Sequence, residues 1–145
     1  MEKFPEKVIL MPVGVVHSPI LTPADAPAQG IEANPPIRGR IEIFPQFSAG
    51  IIVGLERFEF IEVIYYFHLN REERLTEIPR YSSVPRGIFA TRSPNRPNHL
   101  GLSTVRLLGV DGNFLQVAGI DMVDGTPVLD IKPRLNLPEK FVHFG

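Results

Sequence analysis

The sequence predicts an all-β protein, a small single-domain β-barrel over residues 1–145 with one short helix and one long Pro-rich loop. Two observations carry that expectation. Fifteen prolines and twelve glycines punctuate the chain, and between them short apolar runs recur about every ten residues, the spacing of a sandwich or barrel. With 145 residues and 43% hydrophobic content, the chain can close one core and is too apolar for disorder.

The elements follow in order. Strands are expected at VILMPVGVV (8–16), RGRIEIF (38–44), FEFIEVIYYFHL (58–69), RGIFAT (86–91), LSTVRLLGV (102–110), FLQVAGID (114–121) and PVLDIKP (127–133). In the second of these Ile41 and Ile43 alternate with Glu42, the pattern of a half-buried strand. In the third, Ile61, Val63, Tyr65 and Phe67 share one face while Phe60, Ile64 and Tyr66 share the other, so both faces are expected to be covered. VDGN (110–113) suits a tight hairpin turn, and VDGT (123–126) resembles a second. A short helix is expected after Ser48 as N-cap, through AGIIVGLERF. Residues 18–36, SPILTPADAPAQGIEANPP, lack periodicity and form a loop of the length usually given to binding.

Composition excludes several chemistries. The absence of cysteine removes disulfides, zinc–thiolate sites and thiol nucleophiles. No GxGxxG, GxxxxGK[ST] or GxSxG is present, which argues against Rossmann, P-loop and α/β-hydrolase sites. The histidines at 17, 68, 99 and 143 never fall at HxH or HExxH spacing, so no metal is expected. No apolar run is long enough to span a bilayer, and the opening MEKFPEKVILMPVG lacks a signal-peptide core, so a cytoplasmic location is expected.

Net charge is −1, but it is unevenly spread. Residues 78–110 contain Arg80, Arg86, Arg92, Arg96 and Arg106 and no acid, a local basic face suited to an anionic ligand or one limited patch of a polyanion. Its centre, FATRSPNRPNHLGLS (89–103), is a Pro-stiffened loop, because prolines forbid a helix there and the arginines are too costly to bury unpaired. A second polar group lies in AGIDMVDGTPVLDIKP (118–133), with Asp121, Asp124 and Asp130. Asp124 is first a turn residue. Asp121 follows Val117 and Gly119 on one strand face, where a carboxylate needs a partner. From these residues alone, the chain is a barrel that binds an anionic or zwitterionic ligand.

The run RGIFATRSPNRPNHLGLSTVRLLGVDGNFLQVAGIDMVDGTPVLDIKPRL, with VGVVHSP, RGRIEIF and GLERFEFIEVIYYFH before it, resembles the TsaA-like family. Members are S-adenosylmethionine-dependent methyltransferases acting on N6-threonylcarbamoyladenosine beside the tRNA anticodon. The resemblance implies a barrel unlike Rossmann methyltransferases, a homodimer, and a tRNA anticodon loop as partner. It implies donor contacts from Gln29, Gly30, His68, Leu69, Arg92, Leu102, Gly119, Ile120 and Asp121. Arg86, Arg96, Asn98 and His99 would meet tRNA phosphates or splayed bases, and Asp124 or Asp130 would orient the amine. Phe60 stands where the family commonly has histidine, and Arg134 where it prefers tyrosine. The alternative function is a non-catalytic S-adenosylmethionine-binding sensor or accessory protein.

Overall fold

A computed structural model of the chain describes residues 3–80 and 82–135. Six strands close into an antiparallel barrel: β1 (Gly14–His17), β2 (Arg38–Ile43), β3 (Phe60–Tyr66), β6 (Leu100–Asp111), β7 (Phe114–Ala118) and β8 (Pro127–Pro133). Their order around the barrel is β1-β2-β7-β6-β3-β8. Two short strands, β4 (Thr76–Glu77) and β5 (Arg86–Gly87), pair in a separate small sheet.

Period-two alternation fills the interior. Val16, Ile41, Ile61, Val63, Val105, Leu115, Val117 and Val128 are fully buried, each separated by one outward residue from the next inward one on its strand. Glu42 faces outward beside Ile41 and accepts from or pairs with His17 Nε2 at 2.9 Å. The expected turn at 110–113 joins β6 to β7, with Gly112 at φ +61° and Asp111 opposite Phe114. The turn at 123–126 also forms, with the Thr126 N–H donating to the Val123 carbonyl at 3.1 Å. It leads into β8 beside β1, so it is not the hairpin its sequence suggests.

Four element expectations are corrected. The first strand begins at Gly14, not residue 8, because the β2 partner register runs out at Gly14–Ile43. Residues 8–11 consequently lie exposed. The short helix α1 spans Pro45–Ile51, and its N-cap is Phe44 rather than Ser48. Pro45 supplies a ready-made first-turn φ, while the Ser48 hydroxyl donates back to the Pro45 carbonyl at 3.1 Å. Only Arg86 and Gly87 of the run 86–91 are strand, since a 3-10 turn at Ile88–Ala90 follows. Among the described residues the outer face of β3 is covered only in part: Phe60 and Ile64 are half-buried and Tyr66 is exposed. The Arg106 and Arg134 guanidinium groups lie over the Phe60 ring instead. Among the described residues no helix is long and apolar enough to cross a membrane.

The long loop 18–36 contains 3-10 turns at Pro23–Asp25 and Gly30–Glu32. The Ser18 hydroxyl ties its start to the Met122 carbonyl at 2.7 Å. Gly30 ties its end to the residues after β7, as described below.

Candidate functional site

A cleft of about 1230 Å³ opens between one end of the barrel and the segments flanking the small sheet. Its barrel-side wall is made by the ends of β3 and β6 and the residues following β7. Its outer wall is the 67–70 exit from β3, the small sheet and the loop 89–96. The long loop contributes a rim from Pro23 to Gln29.

Asp121 is the electrostatic centre of the barrel-side wall. Its carboxylate accepts the Ser103 hydroxyl at 2.6 Å and the Gly30 N–H at 3.1 Å. Burial raises its pKa above the ordinary aspartate range, and the Ser103 bond, the Gly30 bond and the positive charge of Arg92 only partly oppose this. The Gly30 contact requires glycine, because a Cβ there would overlap the Gly119 carbonyl and approach the Ile120 carbonyl to 2.7 Å. Gly119 at φ +84° ends β7 and turns the chain toward the cleft. Ile120 is wholly buried and anchors that turn.

Behind Asp121, the Tyr65 hydroxyl lies 3.0 Å from Ser103 Oγ, both side chains being buried. Burial, then the Asp121 charge, pushes the Tyr65 phenol well above its ordinary value. Gly101 pairs with Tyr65 across β6 and β3, and a Cβ at 101 would overlap the Tyr65 ring. Small residue and large ring thus share one space.

The outer wall is built differently. Arg92 is exposed and donates from Nη2 to the Leu102 carbonyl, bracing the loop against β6 while leaving its other N–H groups free of protein partners among the described residues. Arg96 Nη1 donates to the Thr91 and Ser93 carbonyls at 2.8 and 3.3 Å. Asn95 donates to Glu77 at 2.8 Å and accepts from Asn70. The Ser93 hydroxyl, then Asn95 and Arg74, hold the Glu77 carboxyl below its ordinary range against partial desolvation. Phe89, 84% exposed, and Arg80 and Arg86 complete the basic, partly apolar rim.

The expected residues divide accordingly. Gln29, His68, Leu69, Arg92, Leu102 and Asp121 line the cleft, as do Arg86 and Arg96. Gly30, Gly119 and Ile120 stand behind it as backbone support for Asp121. Asn98 and His99 do not line it. They adopt φ of +65° and +49°, and the His99 ring is held by the Pro94 carbonyl at 2.9 Å and set against Tyr66. They shape the base of the loop. Asp124 accepts the Ser18 N–H at 3.0 Å in an exposed turn, and Asp130 lies 3.1 Å from Lys132 Nζ beside a separate small apolar pocket with Val13 and Ile52. Neither is brought to the cleft. Sequence reasoning missed Tyr65, Ser103, Glu77 and Phe89. One signal was present: a tyrosine hydroxyl on the otherwise apolar inward face of β3 needs a buried partner.

The donor set suits a zwitterion with an apolar body. A partly buried, under-compensated carboxylate faces one side, a guanidinium with unused donors the other, and apolar groups such as Phe67, Leu69 and Leu102 lie between. Residues 15–137 match the model of the tRNA-methyltransferase O N-terminal domain. A probable S-adenosyl-L-methionine-binding protein of Methanothermobacter thermautotrophicus is 45% identical, with 88% of this chain and 90% of that protein aligned. A tRNA (adenine(37)-N6)-methyltransferase of Homo sapiens is 42% identical over 68% of this chain, but only 22% of the human protein is covered. The crystal structure of TrmO superposes with a TM-score of 0.73 and 35% identity over 89% of this chain, which spans 58% of that structure. The chain belongs to the family of the tRNA-methyltransferase O N-terminal domain.

Proposed function

We propose that this protein is an S-adenosylmethionine-dependent methyltransferase acting on N6 of threonylcarbamoyladenosine next to the tRNA anticodon. One observation carries the reading: six positions expected to touch the methyl donor, from the long loop to Asp121, converge on a single cleft. S-adenosylmethionine supplies an electrophilic methyl group when bound. The chain's own contribution is placement. Asp121 receives the donor's ammonium group, and Arg92 receives its carboxylate through the N–H groups not used on Leu102. Gln29 and the backbone around Leu69 and Leu102 orient the nucleoside part. Fixing the donor's methyl and the N6 ureido nitrogen in line reduces the barrier chiefly through orientation. The N6–methyl bond forms as the sulfur–methyl bond breaks, S-adenosylhomocysteine leaves with that electron pair, and the N6 proton passes to solvent. Arg86 and Phe89 on the rim meet the tRNA, the first through phosphate and the second through a base face.

Asp124 and Asp130 lie outside the cleft, so a role for either in orienting the amine requires movement or a second copy. An exposed apolar strip of Tyr66, Leu100 and Leu102 beside the cleft supports a homodimer. Residues 1–145 would act as one domain, in the cytoplasm, without a metal.

The test is transfer of a labelled methyl group to tRNA bearing threonylcarbamoyladenosine, with unmodified transcript as control and nucleosides read by mass spectrometry. A new mass on the threonylcarbamoyl nucleoside alone is expected. A second reading is a non-catalytic S-adenosylmethionine-binding protein. It is favoured by one fact: the relative matched over 90% of its length bears a binding-protein name, whereas the named human methyltransferase is much longer than the matched part. Donor binding without transfer to either tRNA would select it.

A further inference from the structure

The hydrogen-bond chain behind Asp121 has a definite direction. A serine hydroxyl carries one proton. When Asp121 is ionised, that proton is committed to the carboxylate at 2.6 Å. The 3.0 Å contact between Ser103 Oγ and the Tyr65 hydroxyl must then have Tyr65 as donor. The ionised carboxylate thus fixes the direction of both bonds, from Tyr65 to Ser103 to Asp121.

The Tyr65 hydroxyl is not needed for packing. Gly101 reserves the space for the ring, and phenylalanine would fill that space equally. A hydroxyl on the inward face of β3, in a residue only 6% exposed, is costly unless it makes a bond that matters. Its one side-chain partner among the described residues is Ser103, which itself bonds Asp121. Other groups acting on Asp121 are the Gly30 N–H from the long loop and the Arg92 guanidinium from the outer wall. Ser103, from β6, does not titrate. His68 and Glu77 face the same cleft from the β3 exit and the small sheet.

We propose that Tyr65 is a positioning residue that acts through Ser103 to hold the Asp121 carboxylate in one orientation, as the anionic receptor for the ammonium group of the methyl donor. The inference rests on the reading of the cleft as a donor site. Its consequence is that donor binding and the Asp121 titration move together when only the Tyr65 oxygen is removed.

The test uses Tyr65→Phe in the full chain, with two readouts. The first is the Asp121 carboxyl titration followed by carbon-13 NMR in the ligand-free protein. The second is calorimetric binding of S-adenosylhomocysteine, which keeps the ammonium and carboxylate groups, between about pH 5 and 8. The Asp121 midpoint is expected to move upward. Affinity is expected to fall about threefold to tenfold wherever Asp121 is ionised, and further as pH falls through the raised midpoint. Ser103→Ala should give the same signs with a larger shift. An unchanged carboxyl titration, or an unchanged affinity, would overturn the proposal and leave Tyr65 as packing. If the wild-type protein binds no S-adenosylhomocysteine, the donor reading of the cleft and the ammonium role both fail. The carboxyl titration would still decide whether Tyr65 acts on Asp121.

Discussion

The two walls of the cleft each carry one carboxylate, and their surroundings shift those carboxylates in opposite directions. Asp121, on the barrel side, is pushed toward its neutral form by burial. Glu77, on the outer side, is held in its charged form by the Ser93 hydroxyl, Asn95 and Arg74. The barrel wall thus carries a carboxylate that its own surroundings compensate only in part. The outer wall carries a charge already satisfied by its own loop. Arg96 and Asn95 belong with Glu77: Arg96 Nη1 and the Asn95 side chain are engaged with the carbonyls and side chains that hold the loop in shape. Similar residue types are therefore left partly uncompensated on one wall and engaged in architecture on the other.

Removing the charge from the barrel wall should break this comparison most clearly. Asp121→Asn is expected to weaken S-adenosylmethionine binding on the order of 100-fold, as loss of a partly buried charge partner does. The same variant should be at least as heat-stable as wild type, since it relieves a desolvated carboxylate. Isothermal titration and thermal melts read the two effects on one sample. A parallel loss of affinity and stability would mean that Asp121 is structural.

The space behind the carboxylate is the next target. Gly101→Ala places a methyl group where the Tyr65 ring lies, and overpacking of this kind costs about 1–3 kcal/mol. A denaturant melt should show the loss. An unchanged midpoint would indicate that the ring moves freely and that the Tyr65–Ser103 contact is loose.

The pH dependence of stability sharpens the contrast between the walls. Because the folded-state pKa of Asp121 is raised, its contribution is fully present below the ordinary aspartate range and is lost as pH rises through the raised value. Glu77 behaves oppositely: its contribution is present above the ordinary glutamate range and is lost as pH falls through its lowered value. Melting temperatures measured across the acid range should therefore be flattened by Asp121→Asn on the rising side and by Glu77→Gln on the falling side. Identical profiles for both variants would remove the distinction.

The smallest effect is expected on the rim. Arg86 is exposed, and Arg86→Ala should leave thermal stability and donor affinity unchanged. It should weaken tRNA binding by about threefold and reduce the salt slope by about one phosphate contact. A salt-independent loss would point to a role other than phosphate contact.

How much of this was legible depends on the range of each interaction. The alternation of Ile41, Glu42 and Ile43 predicts its strand because neighbouring side chains on a strand must face opposite ways, whatever the rest of the chain does. The Asp111–Gly112 turn is local for the same reason. The start of β1 was misread because apolar residues at 8–11 look like strand until partners are counted, and β2 offers none before Gly14. The helix start was misread because Pro45 and Ser48 are both good first-turn residues, and the end of β2 decides between them. That Arg96 Nη1 donates to carbonyls of its own loop was not legible, because nothing in PNRPN says that the loop folds back to present them.

By itself, the sequence determined the all-β class, most strand positions, the loop that carries positive charge and the family motifs that point to a methyl donor. These follow from short-range pattern and residue chemistry. Only the tertiary structure decided that Tyr65, Ser103 and Asp121 form one hydrogen-bonded chain, that Gly30 completes it, and that Asp124 and Asp130 lie elsewhere. Those outcomes depend on the register of β3 against β6 and on the approach of a loop some ninety residues distant. Neither is encoded in any local stretch; both are consequences of closing the barrel.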